Sequence, residues 1–283
     1  MSVTLCAPDR EKSCFACCPP IRPAGYEHIL YEAIVKRMLR ENTKAFARGE
    51  TGPAPITGFS CWALGYLDPE YRRVGCLLHP LQNGGRDLRH RVEYGQKCRR
   101  ETCPEARAFQ LLDEGAKAWL LSLAEGLDSF SYSSRAKNPV FGLLGWGPGL
   151  WNRLAFHCGG EARGPGAFYE AFPFFRTALS PRAHAYLLEG CVKEGPGPLK
   201  RPGFRERFET LCTKLKVLSE RLASHADGRS YSHRLDLPPA FKDFLRLHLG
   251  IRKITMDEAL RLKGLVDERV EAFVRDEVPG RWS

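Results

Sequence analysis

Between Cys14 and Cys103 the chain places Cys14, Cys17, Cys18, Cys61, Cys76, Cys98 and Cys103, seven of its eleven cysteines, with His79 at ligand spacing among them. Two short-spaced pairs stand out, Cys14 with Cys17 and Cys76 with His79. A gap of two residues lets a tight turn aim both side chains at one ion, so such pairs recur in metal sites. Thiolates hold zinc and iron–sulfur clusters strongly. A structural zinc takes four ligands in a tetrahedron, and a cubane cluster takes four thiolates. Seven cysteines and His79 are therefore enough for two four-ligand sites. Cys17 and Cys18 are adjacent, and successive side chains diverge in most backbone conformations. They serve two centres, or one centre and the core, more easily than one ion.

Cys14, Cys17, Cys61, Cys76 and Cys98 lead the ligand set, with Cys18, His79 and Cys103 next. The Cys76/His79 pair favours zinc. The excess of thiolates over histidine favours an iron–sulfur cluster, although the spacings of radical enzymes and of ferredoxins are absent. Both metals stay open. The other four cysteines, Cys6, Cys158, Cys191 and Cys212, read as small structural residues.

The rest of the composition bounds the reading. With 283 residues, 43% of them hydrophobic and 27% charged, the chain makes one large domain or two smaller ones and is neither membrane-like nor disordered. Its apolar runs are too short to span a bilayer. The N-terminus lacks the basic-then-apolar pattern of a secretory signal, so the expected location is the reducing cytoplasm, where disulfides are rare. The net charge is +10. Its densest patch is Arg86, Arg89, His90, Arg91, Lys97, Arg99 and Arg100, inside the cysteine window. Such a patch attracts nucleic acid, with Tyr94 as a stacking platform. It also balances the negative charge of neighbouring thiolates, and this second reading is preferred.

The elements that must carry these residues are mainly helical. Apolar spacing predicts a helix from Gly25 to Ala47 and a short hairpin between Phe59–Leu67 and Val74–Leu78 around the Asp68-Pro69-Glu70 turn. It predicts a short helix over Asp87–Tyr94 and one from Glu105 to Leu127, with Pro104 in its first turn. From Asp128 to Gly203 glycine and proline divide the chain into short elements and loops, with helices at Ala167–Phe174 and Pro181–Leu188. Helical periodicity returns over Phe204–Ser224, Pro239–Leu249 and Thr255–Asp276, the last opened by a Thr255/Glu258 capping box. The expected organisation is a loop-rich cysteine module, residues 1–104, packed on a helical body, residues 105–283, with a Gly/Pro-rich middle at 128–203.

Other constellations carry less. Gly145-Trp146-Gly147-Pro148-Gly149 has the look of a cofactor-binding glycine loop, but it lacks the acid such a loop needs and reads as a connector. No Gly-Lys-Ser/Thr phosphate loop exists. His157-Cys158 has no orienting acid for thiol hydrolysis. His184, His225, His233 and His248 are isolated and read as surface or hydrogen-bonded histidines.

Cys14-Phe15-Ala16-Cys17-Cys18, followed by Cys76-Leu77-Leu78-His79-Pro80 and Cys98, resembles the zinc- or iron-chelating cysteine-cluster family, whose members carry a group ending in a Cys-Cys doublet and scattered downstream cysteines. Flagellin lysine-N-methylases are similar relatives. The resemblance covers residues 14 to 103. The extra cysteine usual before the doublet's group is missing, unless Cys6 substitutes from upstream. The resemblance implies metal chelation. The expected function is a metal-binding protein holding zinc or an iron–sulfur cluster. Its alternatives are a metal-dependent protein-modifying enzyme such as a lysine methylase, and a zinc-containing nucleic-acid-binding module. A protein partner fits either of the first two, and no membrane span is expected.

Overall fold

A computed structural model describes residues 3–18, 25–50, 61–100, 102–158, 164–176, 179–222 and 230–277. The turns expected at 52–58 and 159–160, the helix end at Ser224, His225 and Glu101 lie outside these residues. In chain order the helices are α1 (Glu32–Ala47), α2 (Gly95–Arg100), α3 (Pro104–Gln110), α4 (Glu114–Ser122), α5 (Ser129–Ser133), α6 (Pro139–Leu144), α7 (Pro148–Cys158), α8 (Pro165–Ala171), α9 (Pro181–Cys191), α10 (Phe204–Leu222), α11 (Pro239–Asp243) and α12 (Met256–Glu277). A π turn, Phe244–His248, continues α11. Strand β1 (Leu64–Tyr66) pairs antiparallel with β2 (Val74–Cys76), and β3 (Ser230–Tyr231) with β4 (Lys253–Ile254). The protein is mainly α. No helix among the described residues is long and apolar enough to cross a membrane.

Contacts divide the chain into two units, Met1–Leu111 with Ala124–Phe141, and Leu112–Leu123 with Gly142–Ser283. Residues 128–141, which composition grouped with the Gly/Pro-rich middle, thus belong with the cysteine window. The helix expected over 105–127 is two helices. Leu111 ends α3 with ψ near 0°, Asp113 turns extended with ψ 157°, and the Asn152 side chain accepts the Asp113 amide at 2.9 Å. Apolar residues on both sides of the break stay in phase, so periodicity alone runs through it. The first helix of the chain starts later than its pattern, because His28–Tyr31 form a 3-10 turn before α1.

In the first unit α1 lies on the β1–β2 ribbon. Val35 and Leu39 of α1, Leu64 and Tyr66 of β1, Val74 of β2, and Phe15, Leu78 and Phe130 make one apolar core. Burying each large side chain contributes about 1.5–3 kcal/mol. The second unit is centred on aromatic rings. Trp119 of α4 meets Trp151 of α7 at 6.1 Å and Phe168 of α8 at 5.6 Å, each edge-on. Phe175 lies 5.0 Å from Trp151.

Two local signals become structure as expected. Glu258 accepts the Thr255 amide at 3.0 Å while Thr255 Oγ1 accepts the Glu258 amide at 3.2 Å, closing the capping box of α12. Gly145 and Gly147 stand in the connector between α6 and α7, and Gly149 follows in the first turn of α7. Gly147 takes φ 89°, and a Cβ on Gly149 would stand 2.8 Å from Glu189 Oε1. That carboxylate accepts the Leu150 amide in the first turn of α7.

Candidate metal centre

Local bonding fixes the ribbon that carries Cys76. Leu67 N donates to Arg73 O and Leu77 N donates to Ala63 O, both across the pair. By antiparallel alternation, Val74 and Tyr66 therefore turn their own amides outward. Side chains meet them there. Ser13 Oγ accepts the Val74 amide at 2.8 Å and donates to its carbonyl at 2.6 Å, and Thr43 Oγ1 accepts the Tyr66 amide at 2.8 Å. Asn42 donates to the carbonyls of Cys61 and Leu64.

The segment before Cys17 is held by α5. Ser129 and Ser133 hydroxyls accept the amides of Ser13 and Phe15 at 3.1 and 3.0 Å, and Tyr132 donates to Leu5 O at 2.9 Å. Cys14 N donates to Cys6 O at 2.9 Å, which sets Cys6 beside the doublet's group. Downstream, Cys103 precedes α3 and its sulfur accepts the Ala106 amide at 3.3 Å.

The eight N-terminal cysteines form two groups, joined where the adjacent Cys17 and Cys18 side chains hydrogen-bond. Cys61 is buried in the first unit's core, and Cys18, Cys76 and Cys98 pack against that core. Their mutual electrostatics link the same four. Cys18 feels Cys76 and Cys61 after its hydrogen bond to Cys17 and burial, Cys61 feels Cys98, and Cys76 feels both Cys61 and Cys98. The second set is Cys6, Cys14, Cys17 and Cys103. Cys14 is raised by burial and then by Cys17, Cys6 and Cys103. Desolvation, then Cys17 and Cys103, push Cys6 up to about 11, protein atoms crowding its sulfur although solvent still reaches the residue. Cys103 is raised by burial first, with Cys17 contributing. Among the described residues no disulfide forms. Nor do any three His, Cys, Asp or Glu side chains there form a ready-made metal-binding group.

Each set has an arginine beside it. Arg89 donates to Asp87 at 2.9 Å and to Cys98 O at 3.1 Å, and its charge acts on Cys76 and Cys98. Burial pushes Cys76 up to about 11, and Arg89 opposes that rise. Arg135 pairs with Glu105, and Cys103 and Cys14 both act on it. Of the basic patch, Arg86, Arg91, Arg99 and Arg100 are exposed, whereas Arg89 is turned inward. The indole N–H of Trp62, which packs on the same core as Cys61, is buried without a hydrogen-bond partner.

His79 holds a turn directly after Cys76. Its Nδ1 accepts the Leu81 amide at 3.2 Å and caps the turn at Pro80–Gln82, while its own amide closes a turn onto Cys76 O. Burial and then Arg89 lower its pKa. The two-residue spacing is used here as a turn. Cys158, Cys191 and Cys212 are buried structural residues, but Cys6, read with them from the sequence, is exposed and lies against the doublet's group. Trp62, Arg135 and the α5 serines had no spacing that could mark them. No protein-family model, no curated protein and no solved structure matches this chain.

Proposed function

We propose that this is a metal-binding protein whose first unit holds zinc or an iron–sulfur cluster through its cysteines. The observation that carries the reading is the packing of Cys18, Cys76 and Cys98 against one core with Cys61. An all-sulfur donor set of four suits a structural zinc or a cubane cluster. The buried Trp62 N–H supports the reading, since a thiolate or cluster sulfide gives it an acceptor and a buried donor otherwise costs about 1–3 kcal/mol. Cys6, Cys14, Cys17 and Cys103 would hold a second centre, and Arg89 and Arg135 would offset the charge of the two thiolate sets. A bound ion or cluster cross-links loops that lack regular structure and contributes its binding energy to folding.

Metal analysis and visible spectroscopy of anaerobically purified protein test this. Broad brown absorption identifies iron–sulfur, and colourless protein with stoichiometric zinc identifies zinc. Cys61→Ser with Cys98→Ser should remove one centre, and Cys6→Ser with Cys103→Ser the other. Protein that is metal-free in aerobic and anaerobic preparations and still folded sinks the proposal.

A second reading, a metal-dependent protein-modifying enzyme such as a lysine methylase, draws on a cavity of about 330 Å³ in the first unit. Lys12, Lys36, Tyr66, Tyr71, Asp128 and Phe130 line it. Its rim holds Tyr71, the sole non-glycine residue with positive φ among the described residues, fixed by Asp68 accepting the Arg72 and Arg73 amides. Strained backbone of this kind clusters at functional sites. Methyl transfer to a lysine-containing protein, abolished by Lys36→Ala without loss of metal, is the result this reading requires.

A further inference from the structure

In the second unit, His184 of α9 and His248 of the π turn face each other. We propose that they form a site for a single proton, and that this proton fastens the π turn to α9 and α10. The row of contacts needs more hydrogens than two neutral rings carry. His184 Nδ1 lies 2.9 Å from Ser180 O, His184 Nε2 lies 3.1 Å from His248 Nδ1, and His248 Nε2 lies 2.9 Å from Cys212 O. Both ends of this row are carbonyls, which only accept. A neutral imidazole carries one N–H, so a neutral pair has two hydrogens for three contacts. If both carbonyls are served, two nitrogen lone pairs face each other at the centre. If the central bond is made, one half-buried carbonyl keeps only its helical donor and faces a nitrogen lone pair. One added proton completes all three bonds. A second would set two N–H groups and two positive charges against each other.

The surroundings hold the rings in that row. His184 meets His248 edge-on at 4.8 Å, and His248 stacks on Phe244 at 5.2 Å. The π turn, in which Leu249 N reaches back to Phe244 O, puts one extra residue into the coil and ends on His248. Such insertions recur at functional positions.

Charged groups stand on each neighbouring element: on α10 Glu209 pairs with Arg205 at 3.0 Å, and on α11 Lys242 donates to Leu235 O at 3.3 Å. From α10, Glu209 favours a charged His184 and Lys216 disfavours a charged His248. The Cys212 thiol, pushed up to about 12 by burial, stays neutral. On α11 and the π turn, Asp243 pairs with Arg182 of α9 and lies 3.9 Å from Arg246. On α12, Asp267 pairs with Lys263 and takes the Tyr186 hydroxyl, and on α9 the Glu189 carboxyl is turned to Arg153 and the start of α7. None of these carboxylates hydrogen-bonds the rings. Burial opposes proton uptake at both rings, and the charge of His248 adds to this at His184; the first proton is held against that cost by the central hydrogen bond it completes, whereas a second completes none.

Long-range proton–nitrogen NMR on the full chain, with labelled histidine and pH varied, tests the site. The expected result is one shared step, in which both rings take up a single proton together, separated from a second step at lower pH. Amide exchange at Leu249 and Ile251, corrected for intrinsic base catalysis, should be slowest between the two steps. Protection should fall roughly 10- to 100-fold on either side, the factor for a charge-assisted hydrogen bond. In His184→Gln the remaining His248 should titrate alone and the bell-shaped protection should vanish. Two independent single-ring titrations in the unaltered protein, or protection at Leu249 and Ile251 that is flat across both steps, would overturn the proposal whether or not the variant folds.

Discussion

Ser13→Ala isolates how the cysteine segment is held. The hydroxyl makes two bonds to one residue, accepting from Val74 N at 2.8 Å and donating to Val74 O at 2.6 Å. Ser13 is 3% exposed and Val74 1%, so water does not replace the lost partner. Alanine fits the space but leaves a buried donor and a buried acceptor unmet. At about 1–3 kcal/mol for each orphaned group, with partial relaxation, the loss is roughly 2–4 kcal/mol. For a urea dependence of roughly 2 kcal/mol per molar, the midpoint for the first unit should fall by about 1–2 M. Hydrogen exchange at the Val74 amide and metal content should be followed in parallel, because Ser13 ties the chain next to Cys14 to the strand of Cys76. A midpoint that moves by less than about 0.2 M with the slope unchanged would refute this role for Ser13. That outcome would mean that the edge of the ribbon is wet in solution.

Gly95→Ala should destabilise the corner between the Arg89–Arg91 turn and α2 by about 3 kcal/mol, the upper end for overpacking, because the new Cβ would run into the Arg89 carbonyl and His90 Cα; thermal unfolding of the first unit measures it. Thr255→Ala removes the capping box of α12 and should cost about 1 kcal/mol, visible in denaturant melts and as faster exchange in the helix's first turn. Glu189 is raised by burial, so its folded form prefers the proton and its ionisation works against stability as pH rises above the ordinary 4.5. Glu189→Gln should therefore gain on the unaltered chain as pH climbs through the carboxylate range, with the gain gone in acid; an unchanged difference between pH 4 and pH 7 would contradict this. In metal-loaded protein, Trp62→Phe should shift the sulfur-to-metal absorption or the reduction potential while leaving metal content intact; identical spectra would show that the indole does not meet sulfur.

What was legible in the sequence is what is local. The 3.6-residue pattern marked α1, α9, α10 and α12, the Asp68-Pro69-Glu70 turn marked the β1–β2 hairpin, and Thr255 with Glu258 marked a helix start, since each signal lies within a few residues of what it specifies. The Cys14/Cys17 spacing and the Cys17-Cys18 doublet also named three of the eight candidate ligands. Tertiary structure decided the rest. It drew Cys6 to Cys14 and gave His79 to a turn. It used the serines of α5, more than a hundred residues downstream, to hold the backbone at Ser13 and Phe15. Nothing in the chemistry of a serine or histidine says which distant carbonyl or amide it will meet. His184 and His248 were two isolated residues in the sequence, 64 positions apart. They face each other only because α9, α10 and the π turn pack together, which sets the ring nitrogens against each other and against two backbone carbonyls.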